Sequence, residues 1–317
     1  MELAWEQILQ IKRSGAENMS ISKLVAWARI ARLNNVLISF LGVLVGVCVA
    51  KSSCGEGLLN TLVVALYLSV PALLVAAGGY IANDYFDLEI DRVSKPWRPL
   101  ARGEISPRTA RSASIALYSI AAAYAASMIG LLTALFTVVN IFIVDLYNSR
   151  LKREGLVGNL LVALSTSNLF IYGSLSYKES IGSLGSMPLT VLIPFSFAFL
   201  LTLVREIIKG VEDIEGDRRS GAKTLANVIG YRKSSLIAIA INIVIACLMI
   251  IPYLYQVSYL YLVLATTTIF LSLYASYIVY KSREEREAIE KASLSRSLTK
   301  ISLLTGALAF LAWSMRI

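Results

Sequence analysis

Long apolar runs recur along the chain at about 24–50, 58–83, 107–128, 130–149, 156–176, 187–211, 233–254, 257–280 and 295–315, each close to the roughly 20 residues needed to cross a bilayer. The runs are continuously apolar and rich in Leu, Ala and Ile. Membrane β-strands are shorter and alternate between two faces, so the pattern excludes a barrel. It predicts an all-α, polytopic membrane protein: a bundle of nine transmembrane helices. No linker is long or polar enough to divide residues 1–317, which reads as a single integral-membrane domain. Residues 1–20 contain no apolar core of a signal peptide. Their Leu3, Trp5, Ile8 and Leu9 predict a short helix lying on the membrane surface.

Composition agrees with this class: 56% of residues are hydrophobic and 16% charged, with a mean hydropathy of +0.67. Charge then orients the bundle, because Lys and Arg collect on the cytoplasmic side. Of 30 basic residues, 27 fall in the N-terminal segment or after helices 2, 4, 6 and 8, leaving only Lys51, Lys178 and Arg316 on the other side. The N-terminus is therefore expected in the cytoplasm. The net charge of +9 follows from topology and contact with membrane lipids, so no nucleic acid is implied. The sequence suggests no obligatory protein partner. Histidine is absent, which excludes Ser-His-Asp triads and the usual zinc sites. Cys48, Cys54 and Cys247 show no pairing by spacing and are expected to pack as small apolar residues. Segment 281–299 carries mixed charges at helical spacing and predicts a solvated helical extension.

Two acidic segments interrupt this pattern: Asn83-Asp-Tyr-Phe-Asp87-Leu-Glu-Ile-Asp91 and Glu212-Asp213-Ile-Glu-Gly-Asp217. Both end long apolar runs. Carboxylates bordering a bilayer core are costly unless a cation compensates them. Asn83, Asp87 and Asp91 fall at i, i+4 and i+8, on one stripe of a helix, and Asp213 and Asp217 repeat the i, i+4 spacing. Facing each other, the stripes offer oxygen ligands of the kind Mg²⁺ takes together with substrate phosphates. Two stripes suggest two ions holding one diphosphate. Helix 2 with its acidic end and basic loop is echoed by helix 6, which is consistent with a duplicated four-helix unit. A further carboxylate, Asp145, is expected to pair locally with Arg150.

Basic residues gather around the stripes. Lys95, Arg98 and Arg102 follow the first, Arg205 and Lys209 precede the second, Lys223 follows it, and Lys152 lies between Arg150 and Arg153 after helix 4. They suit an anionic ligand, although each alone serves equally as a topology determinant. Tyr80, Tyr85, Phe86 and Tyr147 are either interfacial anchors or partners for an allylic cation. Gly155, Gly158, Gly216 and Gly221 read as turn or close-packing residues.

In combination these motifs resemble the UbiA superfamily of intramembrane prenyltransferases over nearly the whole chain. The two acidic segments match its two aspartate motifs. Lys95-Pro-Trp-Arg98-Pro-Leu-Ala-Arg102-Gly-Glu-Ile-Ser106 is similar to its basic loop, and Tyr147 through Lys152 to the motif ending its fourth helix. Where the family often has Arg-Pro-x-Asn, this chain has Arg32-Leu-Asn34-Asn35. Arg205 through Asp217, followed by Gly221-Ala-Lys-Thr-Leu225, looks most like the archaeal digeranylgeranylglyceryl phosphate synthases.

The resemblance implies Mg²⁺-dependent transfer of a geranylgeranyl group from geranylgeranyl diphosphate to the hydroxyl of geranylgeranylglyceryl phosphate. Such a protein is a multi-pass enzyme with its site at the cytoplasmic face of the cell membrane. The metal ligands it implies are Asn83, Asp87, Asp91, Asp213 and Asp217. Asp87, Asp91, Asp213 and Tyr147 would be the catalytic group, with Tyr147 near the reacting carbon. Arg32, Asn35, Lys95, Arg98, Arg102, Lys152, Arg205, Lys209 and Lys223 would bind substrate. The phosphate of a lipid-like acceptor would need further cations, for which Arg98, Arg102, Arg218 and Arg219 are the expectation. An aromatic acceptor of the quinone or chlorophyll type and a cation-coupled transporter are the alternatives.

Overall fold

A computed structural model describes residues 23–51 and 57–315. The expected interfacial helix at 1–20 lies outside them. The described elements are α1 (23–30), α2 (Leu33–Lys51), α3 (Leu58–Phe86), α4 (Leu88–Ser94), α5 (Pro107–Tyr124), α6 (Leu131–Ser149), α7 (Leu156–Ser180), α8 (Leu192–Glu212), α9 (Ile214–Ser220), α10 (Leu225–Ile229), α11 (Tyr231–Leu248), α12 (Ile250–Tyr255), α13 (Tyr259–Tyr280) and α14 (Glu285–Met315). Among the described residues, nine helices are long and apolar enough to cross a membrane, in line with the number expected from the sequence.

Lipid solvates the outside of such a bundle, so outward positions stay apolar and inward ones are small or polar. On α6, Leu131, Leu135, Val138 and Phe142 are exposed while Thr133, Ala134 and Thr137 are buried. The interior is joined by close backbone approach and polar links between helices. A Cβ on Gly46 would lie 2.1 Å from the Phe170 carbonyl oxygen, and one on Gly173 2.2 Å from that of Val43. Hence α2 and α7 cross backbone to backbone. Tyr172 donates to the Leu68 carbonyl, Asn168 to Asn140, and Asn242 to Ser276, which ties α7 to α3, α7 to α6 and α11 to α13. At the end remote from the acidic segments, the Glu179 carboxylate accepts from the amides of Leu132 and Thr133. There it satisfies the open amides at the start of α6.

The duplication read from the sequence appears in the packing. In the first half α3 packs on α2, α5 and α6, and α5 on α6. In the second, α8 packs on α7, α11 and α13, and α11 on α13. The two central helices end alike. Asp87 terminates α3 at φ −90°, ψ 0°, and Asp213 terminates α8 at φ −87°, ψ 3°; each is followed by a seven-residue helix, α4 or α9. This sparsely populated backbone region interrupts both helices at an aspartate.

Four features differ from the sequence expectation. The first run is not one helix: α1 and α2 are separated at Ala31–Arg32, where Arg32 adopts φ 51°. The ninth span begins at Glu285 rather than 295, because the charged extension stays helical, with Lys291–Glu287 and Arg286–Glu290 pairs one turn apart. Asp145 pairs with Arg111 on the neighbouring α5, at 2.6 and 3.1 Å, and not with Arg150. Cys48 takes part in a disulfide rather than merely packing, while Cys247 is free and exposed.

Candidate active site

Both aspartate breaks open onto one cavity of about 980 Å³ between the two halves. Its polar end is formed by the ends of α3 and α8 with α4 and α9. It then descends between α2, α6, α7, α8, α13 and α14 to aromatic walls at Phe136, Tyr172, Tyr261 and Phe310. Of the residues singled out from the sequence, Arg32, Asn35, Asn83, Asp87, Asp91, Lys95, Arg98, Tyr147, Lys152, Arg205, Lys209, Asp213 and Asp217 all line it. Arg102 and Lys223 do not. Arg102 pairs with Glu104, and the exposed Lys223 has its carbonyl against Gly155. Gly155 sits at φ 53°, and a Cβ there would lie 2.0 Å from that oxygen, so glycine lets the loop carrying Lys152 press against the loop following α9.

The first break is saturated with ion pairs. Arg32, turned inward by its left-handed backbone, donates to Asp84 at 2.7 Å and to Asn83 at 3.2 Å. Arg98 donates to Asp84 at 3.1 Å and pairs with Asp91; Lys152 pairs with Asp87. Asn83 is held from its other side, donating to Asn148, which in turn donates to the Gly79 carbonyl. Burial is the largest influence on Asp91, raising its pKa above the ordinary carboxylate range against the pull of Arg98. Burial likewise lowers the pKa of Lys152, which Asp87 opposes.

The second break is built differently. Arg205 and Lys209 both pair with Glu206, a buried carboxylate on the same helix, whereas Asp213 makes no salt bridge among the described residues. Asp217 has its pKa raised, first by burial and then by repulsion from Asp213. The halves meet electrostatically: Lys152 acts on both Asp87 and Asp217, and Tyr147 lies within reach of Lys209, Glu206, Asp87 and Arg205. Tyr80 lines the cavity under the Arg32 guanidinium at 5.0 Å. Tyr85 and Phe86 lie outside it and carry Arg111, at 6.0 and 5.1 Å.

Sequence reasoning passed over Asp84, Glu206, Glu212, Arg296 and Lys300. Glu206 stands seven residues before Asp213, on the same helical face, which is the one local signal that pointed to it. In all, eight basic and six acidic side chains line the cavity, an excess of two positive charges over an apolar floor. Such a space suits an amphiphile with a multiply charged anionic head and a long hydrocarbon tail.

Nine membrane-length helices among the described residues, with repeated halves that face one another through paired aspartate breaks over an amphiphile-sized cavity, define a polytopic membrane protein with its candidate site inside the bundle. The chain belongs to the UbiA prenyltransferase family, whose model matches residues 39–311, and it is a multi-pass membrane prenyltransferase. It is 34% identical over 299 residues to the digeranylgeranylglyceryl phosphate synthase of Hyperthermus butylicus, covering 90% of this chain and 95% of that relative. A solved structure of a digeranylgeranylglyceryl phosphate synthase superposes with a TM-score of 0.70 at 26% identity, covering 93% of this chain and all of the other. A UbiA homologue from Archaeoglobus fulgidus, solved with GPP and Mg²⁺, shares the fold at a TM-score of 0.59 and 17% identity, covering 90% and 99% of the two chains. Family membership sets aside the cation-coupled transporter.

Proposed function

We propose that this chain transfers a geranylgeranyl group from geranylgeranyl diphosphate to the free hydroxyl of geranylgeranylglyceryl phosphate, forming the second ether bond of archaeal membrane lipids. The observation that carries the reading is the pair of equivalent aspartate breaks opening on one positively charged, apolar-floored cavity. The full-length likeness to synthases of that name supports the acceptor.

A divalent metal fits the donor set. Among the described residues no three acidic or thiol side chains are gathered closely enough to hold an ion alone, yet Asp87, Asp91, Asp213 and Asp217 all present oxygens to the cavity. Mg²⁺ commonly binds through one or two carboxylates plus substrate phosphates and waters, which is what such a divided set provides. Asn83, Asp87 and Asp91 would hold one ion and Asp213 and Asp217 a second. Bound there, the ions supply positive charge to the leaving diphosphate.

The chain's own cations add to that charge. Lys95, Arg98, Lys152, Arg205 and Lys209 contact diphosphate oxygens and stabilise the negative charge that grows as the allylic carbon–oxygen bond breaks. Tyr147 and Tyr80 flank the reacting carbon, and the apolar walls keep water from it. The ether oxygen forms its bond to that carbon, and the acceptor's hydroxyl proton leaves to an oxygen of the released diphosphate. The basic residues concentrate at the acidic end of the bundle, which supports a site on the cytoplasmic side and a chain working as one integral-membrane unit.

Incubation of purified protein with Mg²⁺, labelled geranylgeranyl diphosphate and either geranylgeranylglyceryl phosphate or 4-hydroxybenzoate tests the reading. Label is expected in the glycerophosphate product. Label appearing only in the aromatic product would overturn it.

A further inference from the structure

The cavity wall formed by α14 has an amphiphile's pattern. Arg296, Lys300, Leu303, Ala307 and Phe310 line it at spacings of four, three, four and three residues, one continuous stripe of a helix. The two residues nearest the acidic end are cations and the three below are apolar. Arg296 reaches Glu212 at 3.3 Å, which fixes this basic pair at the level of the second aspartate break.

Most other cavity cations are already engaged. Arg32 and Arg98 hold Asp84, Lys152 holds Asp87, and Arg205 and Lys209 share Glu206. Lys95 caps α4 and lines the cavity at the first break, where the diphosphate is expected. Lys300 makes no ion pair among the described residues although it faces the same space. Of the cations expected from the sequence to serve a second phosphate, Arg98 lines the space but is held by Asp84 and Asp91, Arg218 forks onto Glu285 at 3.0 and 3.1 Å, and neither Arg102 nor Arg219 lines the cavity.

We propose that Arg296 and Lys300 bind the phosphate of the acceptor, a glycerol phosphomonoester with a single isoprenoid tail, and that the tail runs along Leu303, Ala307 and Phe310. This rests on the glycerophosphate reading of the enzyme. In such an acceptor the phosphate and the reacting hydroxyl are only a few bonds apart. The site for the phosphate must therefore sit at the level of the aspartates yet use cations other than those committed to the diphosphate, and this pair meets both conditions. Phosphate draws Arg296 away from Glu212 or shares it, and Lys300 contributes a point charge.

The test is steady-state kinetics on the full-length enzyme with Mg²⁺, varying geranylgeranylglyceryl phosphate and geranylgeranyl diphosphate separately. Lys300→Met and Arg296→Gln are each expected to raise the acceptor KM about tenfold or more, the scale of a lost charge-assisted contact, with the donor KM within about twofold of wild type. Lys300→Arg should restore most of the loss. With geranylgeranylglycerol, which lacks the phosphate, the KM ratio of variant to wild type should fall towards one. An unchanged acceptor KM in Lys300→Met, or an equal rise in the donor KM, would overturn the proposal and leave the pair as topology charges. Should Arg296→Gln fail to fold, the two Lys300 variants still decide. Wild-type enzyme that ignores geranylgeranylglyceryl phosphate but prenylates 4-hydroxybenzoate would instead remove the glycerophosphate reading itself, a result separable from failure of this site.

Discussion

The two aspartate breaks share a backbone but not an electrostatic design. At the first, three cations from other segments, Arg32, Arg98 and Lys152, close on Asp84, Asp91 and Asp87. At the second, Glu206 occupies two cations of its own helix, Arg296 of α14 reaches Glu212, and Asp213 stands without a salt bridge among the described residues. A duplicated scaffold thus carries one break whose carboxylates are held in protein ion pairs and one whose leading carboxylate makes none among the described residues. On the proposed function, a diphosphate engaging the first break would draw Arg98 and Lys152 from carboxylate to phosphate.

Removing either leading carboxylate should have the largest effect. Asp87→Ala and Asp213→Ala are each expected to lower turnover about a thousandfold or more, as loss of preorganised charge stabilisation does. They should differ in stability: Asp213→Ala leaves the melting temperature in detergent unchanged, whereas Asp87→Ala strands Lys152 and lowers it. Equal melting temperatures would erase the contrast between the half-sites.

Asp84→Ala should act mainly on the fold. Its carboxylate is buried between two guanidinium groups, and deleting one member of such a group costs about 3 kcal/mol because the others are left uncompensated. Calorimetry on this variant and on Glu206→Gln compares the two cation clusters directly. Both should be destabilised, since each side chain neutralises two cations.

Arg111→Ala sharpens the comparison from outside the cavity. Arg111 is held by Asp145 and packs on Tyr85 and Phe86, the residues immediately before Asp87. At the second break the corresponding contact from a neighbouring helix is an ion pair, Arg296 of α14 on Glu212, the residue immediately before Asp213. Loss of roughly 1 kcal/mol of support should lower kcat about fivefold with little change in either KM. Arg111→Lys, which retains the charge, should recover part of it.

The smallest effect is on pH. Asp91 and Asp217 have raised pKa values, so they hold their protons at higher pH than ordinary carboxylates and yield them less readily to a metal. As pH falls towards that raised range, the Mg²⁺ concentration for half-maximal activity should climb. On the alkaline side Lys152, with its lowered pKa, loses its charge before an ordinary lysine, and the donor KM should rise there. Titrating Mg²⁺ across the acid limb checks the first statement.

Much of this was legible in the sequence for a physical reason. Lipid demands apolar exteriors over fixed lengths, so all nine spans appear in hydropathy. The i, i+4 spacing of Asp87 and Asp91, and of Asp213 and Asp217, is local and so also readable. Breaks set by tertiary contacts were not. Arg32 turns against its backbone preference to reach Asp84, 52 residues away, and nothing nearby marks the turn. The same limit hid the Arg111–Asp145 pair. Glu206 and Lys300 were concealed differently: on a helix, direction relative to a cavity depends on how its neighbours pack, and only the assembled bundle aims them inward.

The central claim is that both breaks grip one diphosphate, and a binding cycle tests it most directly. Affinity for a non-reactive geranylgeranyl thiolodiphosphate in Mg²⁺ is measured for wild type, Asp87→Ala, Asp213→Ala and the double variant. Shared ligation predicts that each single change loses most of the affinity and the double change loses little more. Losses that simply add, or a single variant that binds as wild type does, would mean the two half-sites act independently and would contradict a common ligand.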